Sequence, residues 1–332
     1  VTSNRRRKRP ERTAGFLVGL AGAGLSAFVI SRYLRDIRRA RERVATGGRI
    51  AETASGLIEY GTAGDGPPVL VVHGAGGGFD QALFLAEPLA RNGFRVIAPS
   101  RFGYLRTPLP ADPSAAAQAD AHALLLDALG IPRAAVVGAS AGAPSAMQFA
   151  LRHPERTAAL VLLVPAAYPF HIRHMPEGGA PRRTSPETAL LFDTALRSDF
   201  LFWLAMRIAR RIVSRGILAT PPSVLERASA EERARAAGVL EYILPVSRRR
   251  LGLRNDAAMI SSLPRYDLER ISARTLAISV EDDLFGTFDG ARYSAEHIPK
   301  ARFIGYPTGG HLWIGHHAEI MAEISGFLRE EE

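Results

Sequence analysis

The chain has 332 residues, no cysteine, 47% hydrophobic residues and a formal net charge of +9. This length and apolar content suit a globular fold with a full core and exclude a disordered chain. The missing cysteine excludes disulfides, thiolate metal sites and a cysteine nucleophile. The charge is concentrated at one end, with 13 Arg/Lys against 3 Asp/Glu in residues 1–49 and 29 against 30 in the rest. That balance argues against a nucleic-acid footprint on a folded face.

Thr13 to Ser31 forms 19 residues without a charge, enough for one pass across the hydrocarbon core. Arg5, Arg6, Arg7, Lys8, Arg9 and Arg12 precede it, and Arg32, Arg35, Arg38, Arg39, Arg41 and Arg43 follow. Such flanks suit anionic lipid headgroups. Residues 1–47 are therefore expected to form a basic segment with a transmembrane helix over 13–31, placing the protein at a membrane through lipid contact. Equal basic flanks leave the orientation open. A cleaved signal peptide is the rival, but no A-x-A site closes the apolar run. Beyond it, Ile30, Leu34, Ile37 and Val44 recur on one face while arginines cover the other, the pattern of an amphipathic helix on a membrane surface. Thr46-Gly47-Gly48 breaks this helix, and a second domain is expected over 48–332.

From residue 49 the pattern becomes strand, turn, strand and then alternation. Arg49 to Thr53 and Leu57 to Gly61 read as a hairpin. Pro68 to Val72 and Phe94 to Ala98 read as buried strands on either side of a helix near 81–91. Ala134 to Val137 and Ala158 to Val164 flank a helical run ended by His153-Pro154. Thr275 to Val280, Ala301 to Tyr306 and a last helix from about Ala318 to Leu328 complete the series. Continuous apolar strands alternating with helices mean an α/β fold, its parallel sheet covered on both faces. Ligands in such sheets sit at the carboxyl ends of the strands.

The interval from about 166 to 262 breaks the alternation with prolines, aromatics and arginine-rich helical runs. It is expected to form a helical cap inserted over the strand ends. Its most apolar run, Asp199 to Ile212, suits the lining of a greasy pocket. Arg182 and Arg183 could meet an acidic group on a ligand, although solvated surface is the ordinary role for such residues.

Three motifs fall at strand ends. Gly138-Ala139-Ser140-Ala141-Gly142 follows the strand ending at Val137, and a strained strand-to-helix turn there would lift the Ser140 hydroxyl out of the sheet. His73-Gly74-Ala75-Gly76-Gly77-Gly78 follows the strand ending at Val72. It lacks the Lys-Ser/Thr of a phosphate loop and the G-x-G-x-x-G of a dinucleotide fold, so it is read as a loop offering backbone N–H groups to an oxyanion. Gly309-Gly310-His311 precedes the last helix and supplies a base. The acid that would orient this base is Asp283 after the strand ending at Val280, with Asp282 as its alternative and Asp256 as a more distant one. His73 is read as structural. A metal site at His311, His316 and His317 finds no carboxylate at a recognised spacing, and no metal or other cofactor is expected.

The order Ser140, Asp283, His311, together with the His-Gly loop, resembles the α/β-hydrolase superfamily from about residue 49 to 330. The resemblance implies a doubly wound, mostly parallel eight-stranded sheet with a cap inserted after the sixth strand. It also implies the backbone N–H groups of Ala75 and Ala141 as an oxyanion hole. One departure is visible: relatives commonly carry Asp-x-Arg-Gly-x-Gly where this chain has Ser100-Arg101-Phe102-Gly103-Tyr104. The expected function is hydrolysis of a carboxylic ester or lactone with a hydrophobic part, through an acyl-enzyme. The alternatives are hydrolysis of a carbon–carbon bond in a ring-cleavage product, a cofactor-free haloperoxidase-like activity, and a silent scaffold used as a receptor or adaptor.

Overall fold

The structure, a computed structural model, describes residues 9–169 and 196–330, with side chains from residue 24 onward except that of residue 210. The basic cluster before residue 9, the side chains of the expected membrane span up to residue 23, and the segment containing Arg182 and Arg183 lie outside the described residues.

Eight strands form one sheet: β1 (Arg49–Thr53), β2 (Gly56–Ala63), β3 (Pro68–Val72), β4 (Arg95–Pro99), β5 (Ala134–Ala139), β6 (Thr157–Leu163), β7 (Thr275–Val280) and β8 (Arg302–Tyr306). Their order is β1-β2-β4-β3-β5-β6-β7-β8. The hairpin strand β2 pairs antiparallel with β1 and β4, and every other pairing is parallel.

The central strands are almost continuously apolar because both faces are covered. Leu70, Val72, Val136, Leu160 and Leu162 face a core shared with helices α4 (Ala115–Ala128), α5 (Ala143–Arg152) and α11 (Thr287–His297). Val69, Val71, Val137, Val161 and Ile278 face the opposite core, closed by α2 (Phe79–Leu85), α3 (Glu87–Arg91) and α12 (His317–Arg329). The helix expected near 81–91 is in fact these two pieces. Pro88, which cannot donate to the preceding turn, sits in the first turn of the second piece.

Among the described residues, five α-helices lie between β6 and β7: α6 (Asp199–Ile208), α7 (Arg210–Gly216), α8 (Pro222–Arg227), α9 (Ala230–Glu241) and α10 (Arg250–Ser261). Ser198 and Ser229 cap α6 and α9 by accepting the N–H groups of Leu201 and Glu232. The last of the five is joined closely to the loop after β4. Gly252 N–H donates to the Gly103 carbonyl at 2.9 Å, and Leu105 N–H to the Arg248 carbonyl at 2.9 Å. A Cβ on Gly252 would stand 2.1 Å from the Tyr104 ring, so the ring and the helix backbone pack with nothing between them.

The N-terminal segment departs from expectation. Helix α1 runs unbroken over Arg9–Thr46, and among the described residues no helix is long and apolar enough to cross a membrane. The expected membrane helix over 13–31 and the membrane-associated localisation are corrected on this ground. The C-terminal part of the stretch assigned to a membrane surface packs on protein, while Ile30 and Leu34 stay exposed. Ile37, Ala40 and Val44 are buried, and Ile37 and Ala40 pack with Phe202, Trp203, Ile243 and Leu244. Polar contacts fix the same register. Asp36 accepts from Trp203 Nε1 at 2.9 Å and from Arg207 at 2.7 Å, while Arg43 reaches Asp80 at 2.9 Å and the Leu244 carbonyl at 2.7 Å. Periodicity shows that a helix has an apolar face; it does not say whether lipid or protein covers it.

Candidate active site

Strand β5 ends at Ala139, and the chain turns at Ser140 into α5. Ser140 has φ 49°, a left-handed conformation that costs a non-glycine residue on the order of 1 kcal/mol. The glycines beside it make room for the turn. A Cβ on Gly142 would lie 2.4 Å from the Val72 carbonyl oxygen, and one on Gly138 would lie 2.5 Å from Ala146 Cβ. The Ser140 carbonyl is anchored by the N–H of Ala166 at 3.0 Å.

Ser140 Oγ lies 2.9 Å from His311 Nε2, and His311 Nδ1 lies 2.8 Å from Asp283 Oδ2. A carboxylate only accepts, so Nδ1–H donates to Asp283 and Nε2 is left to accept from the serine hydroxyl. Asp283 is fully buried. It also accepts from Phe285 N–H at 2.8 Å and from the Thr287 hydroxyl, which in turn lies 2.9 Å from Ser279 Oγ. Asp282 points elsewhere, accepting the Gly310 N–H at 2.6 Å. The two neighbouring aspartates thus hold one loop in two ways, Asp283 by the imidazole and Asp282 by the backbone. The other side of this loop rests on residues 219 and 220. Ala219 carbonyl accepts from the N–H groups of His311 and Leu284, at 3.3 and 3.0 Å.

The glycine loop after β3 faces the serine. A Cβ on Gly74 would stand 3.0 Å from Ser140 Cβ and 3.6 Å from its Oγ. Ala75 follows on this loop, and Ala141 follows Ser140 directly. His73 lies under the loop. Its Nδ1–H donates to the Gly74 carbonyl at 2.7 Å, and its Nε2 accepts the Arg101 N–H at 3.0 Å. Burial and the Arg101 charge hold it neutral, with its pKa well below the usual histidine value.

Of the remaining candidates, His316 precedes α12 and lies 3.3 Å from Glu319, and His317 accepts from Trp313 Nε1 at 3.1 Å. Among the described residues no group of three or more His, Asp or Glu side chains is placed to hold a metal ion. Asp256 is distant from the histidine in role as well as in sequence. It forms a bidentate pair with Arg101 at 2.7 and 2.6 Å, both side chains buried, and accepts from the Tyr104 hydroxyl at 2.5 Å.

The sequence reading missed this pair and a second one, in which Arg249 bonds Asp80 at 2.8 Å. An available signal was the Ser100-to-Tyr104 departure itself, which puts an arginine and a tyrosine on the loop facing α10.

Three histidines make folding pH-dependent. His122 is buried and pushed down to about 3, and His317 is pushed down to about 4, in both cases mainly by burial; His73 is lowered too. Below the unfolded value of about 6.5 the unfolded chain takes up protons that the folded chain refuses. Stability that is complete above pH 6.5 is therefore lost as the pH falls through that window. The slope for fully buried His122 is about 1.4 kcal/mol per pH unit. Urea midpoints measured from pH 7 to pH 4 are expected to fall steadily, and a flat midpoint would contradict this account.

Comparison with known proteins fits this geometry. The sequence matches the family profile of the alpha/beta hydrolase fold over residues 67–317. The chain belongs to the α/β-hydrolase family. A solved α/β-hydrolase fold protein from Nakamurella multipartita is 27% identical, with a TM-score of 0.67, covering 85% of this chain and 99% of that one. An enol-lactonase from Burkholderia xenovorans LB400 is 20% identical with a TM-score of 0.64, over 85% of this chain and 100% of its own, a likeness of fold alone. A 2-hydroxy-6-oxo-6-phenylhexa-2,4-dienoate hydrolase of Comamonas testosteroni is 34% identical over 129 residues, which are 37% of this chain and 45% of that one. The chain thus spans less than half the length of this curated relative.

Proposed function

We propose that this α/β-hydrolase is a serine hydrolase of carboxylic esters or lactones carrying a hydrophobic part. The observation that carries the reading is the continuous hydrogen-bonded line from Ser140 Oγ through His311 to buried Asp283, at 2.9 and 2.8 Å. In this reading Ser140 Oγ forms a bond to the substrate carbonyl carbon as His311 Nε2 takes the hydroxyl proton. The carbonyl π electrons move to oxygen, where the Ala75 and Ala141 N–H groups hold the negative charge. As the electrons return, the carbon–oxygen bond to the alcohol breaks, and His311 gives its proton to the leaving oxygen. Water then repeats the sequence: its oxygen bonds to the acyl carbon as His311 removes its proton, the acyl–Ser140 bond breaks as His311 returns that proton to Oγ, and the acid is released. Asp283 keeps the imidazole in the Nδ1–H tautomer and stabilises the imidazolium.

The helices between β6 and β7 act as the cap over this site, within the domain from 48 to 332, and their apolar clusters suit a hydrophobic substrate part. Carbon–carbon bond hydrolysis is the second reading, favoured by the dienoate hydrolase among the similar proteins. Asp80 weighs against it. This residue follows the glycine loop closely, and its carboxylate is committed to Arg43 and Arg249 instead of facing a keto acid. Parallel assays with an aryl butyrate and a dienoic keto acid test the choice. Turnover of the ester with no ring-fission activity supports the ester reading; preferred turnover of the keto acid overturns it.

A further inference from the structure

A loop with glycine at 74, 76, 77 and 78 has few side chains of its own to fix its shape, and glycine has the most backbone freedom to lose. Here the shape is imposed from outside. Peptide 74–75 is set by its carbonyl, which accepts from His73 Nδ1 at 2.7 Å and from Gly77 N–H at 3.2 Å. In a trans peptide the Ala75 N–H must then point the opposite way.

Peptides 75–76 and 77–78 are held by side chains that tie to the inserted helices. Gly76 N–H donates to the Tyr104 hydroxyl at 3.1 Å, and that hydroxyl spends its own proton on Asp256 of α10. Arg249, from the turn just before α10, donates to the Gly77 carbonyl and to Asp80. The glycines admit these groups, for a Cβ on Gly78 would lie 2.5 Å from the Arg249 guanidinium and one on Gly77 would lie 2.6 Å from His73 Nδ1. Arg101 closes the circuit, pairing with Asp256 by its side chain and with His73 by its backbone.

We propose that Tyr104, latched to Asp256 of the cap, is a positioning residue that aims the oxyanion loop, so that docking of the cap sets how well the developing oxyanion is held. This rests on the serine-hydrolase reading above. Tyr104 touches no reacting atom in that scheme and acts through the Gly76 N–H. Its hydroxyl is suited to the task because one proton and one lone pair are committed in opposite directions. Burial and the Asp256 charge keep the phenol protonated, with its pKa raised well above 10.

Tyr104→Phe removes the latch and keeps the ring packed against Gly252. Removing one donor from an oxyanion hole outright costs about 100- to 1,000-fold in kcat. Misaiming one is expected to lower kcat on an aryl ester by about 10- to 100-fold while KM stays within about threefold. The rate of inactivation by a fluorophosphonate, whose adduct also places an oxygen in the hole, should fall in parallel. A purely structural role would lower the melting temperature without dividing kcat from KM in this way. If Tyr104→Phe does not fold, Arg249→Lys replaces it: the charge against Asp80 is kept, the grip on the Gly77 carbonyl is lost, and the same split is expected. Wild-type kcat and wild-type inactivation rate in a folded variant overturn the proposal. A wild-type protein that neither reacts with the fluorophosphonate nor turns over ester would instead overturn the serine-hydrolase reading itself.

Discussion

Replacing Asp283 by asparagine is expected to lower kcat by about 10⁴-fold with KM little changed. The shape of the side chain survives, but an amide can donate as well as accept. The Nδ1–H tautomer then loses its preference, and Nε2 is no longer reserved for the Ser140 proton. The imidazolium formed during attack also loses its buried counter-charge. His311→Ala should cost at least as much. The neighbouring Asp282→Asn is the control. Its side chain accepts the Gly310 N–H, at 2.6 Å, and an amide oxygen can keep that bond, so kcat should fall by less than about tenfold. Kinetics of the three variants on one aryl ester separate the two aspartates. Equal losses at 282 and 283 would contradict the assignment.

The second large effect is on stability. Asp256→Ala strands the Arg101 guanidinium, which is buried and pairs with that carboxylate through two bonds. Removing one partner of a buried pair leaves an uncompensated charge and costs about 3–5 kcal/mol, a large part of a typical total of about 5–15 kcal/mol. Denaturant midpoints should drop accordingly. The double change Arg101→Met with Asp256→Leu should recover much of the loss, because no charge is then left without a partner. A single variant as stable as the wild type would mean that water reaches the pair, contrary to its burial.

The strands and the hydrogen-bonded Ser140–His311–Asp283 line were legible because each member has a local signature. Val69 to Val72 is apolar at every position because two cores meet at the sheet, and Ser140, Asp283 and His311 each follow such a run. The choice between Asp282 and Asp283 was narrower, since adjacent residues share the same spacing and only side-chain direction separates them. The Arg101–Asp256 and Arg249–Asp80 pairs join residues 155 and 169 positions apart, and no periodicity records a partner at that range. Helix α1 illustrates the opposite limit. Its pattern of Ile30, Leu34, Ile37 and Val44 was real, but the protein surface covering Ile37 is built by residues far along the chain.

The central claim is that Ser140 attacks a carbonyl with His311 as its base. The most direct measurement is covalent labelling by a fluorophosphonate, followed by mass spectrometry of the modified peptide. The account predicts one adduct per chain, on Ser140, and none in Ser140→Ala. A folded wild-type protein that stays unlabelled, or an adduct that persists in Ser140→Ala, would contradict it.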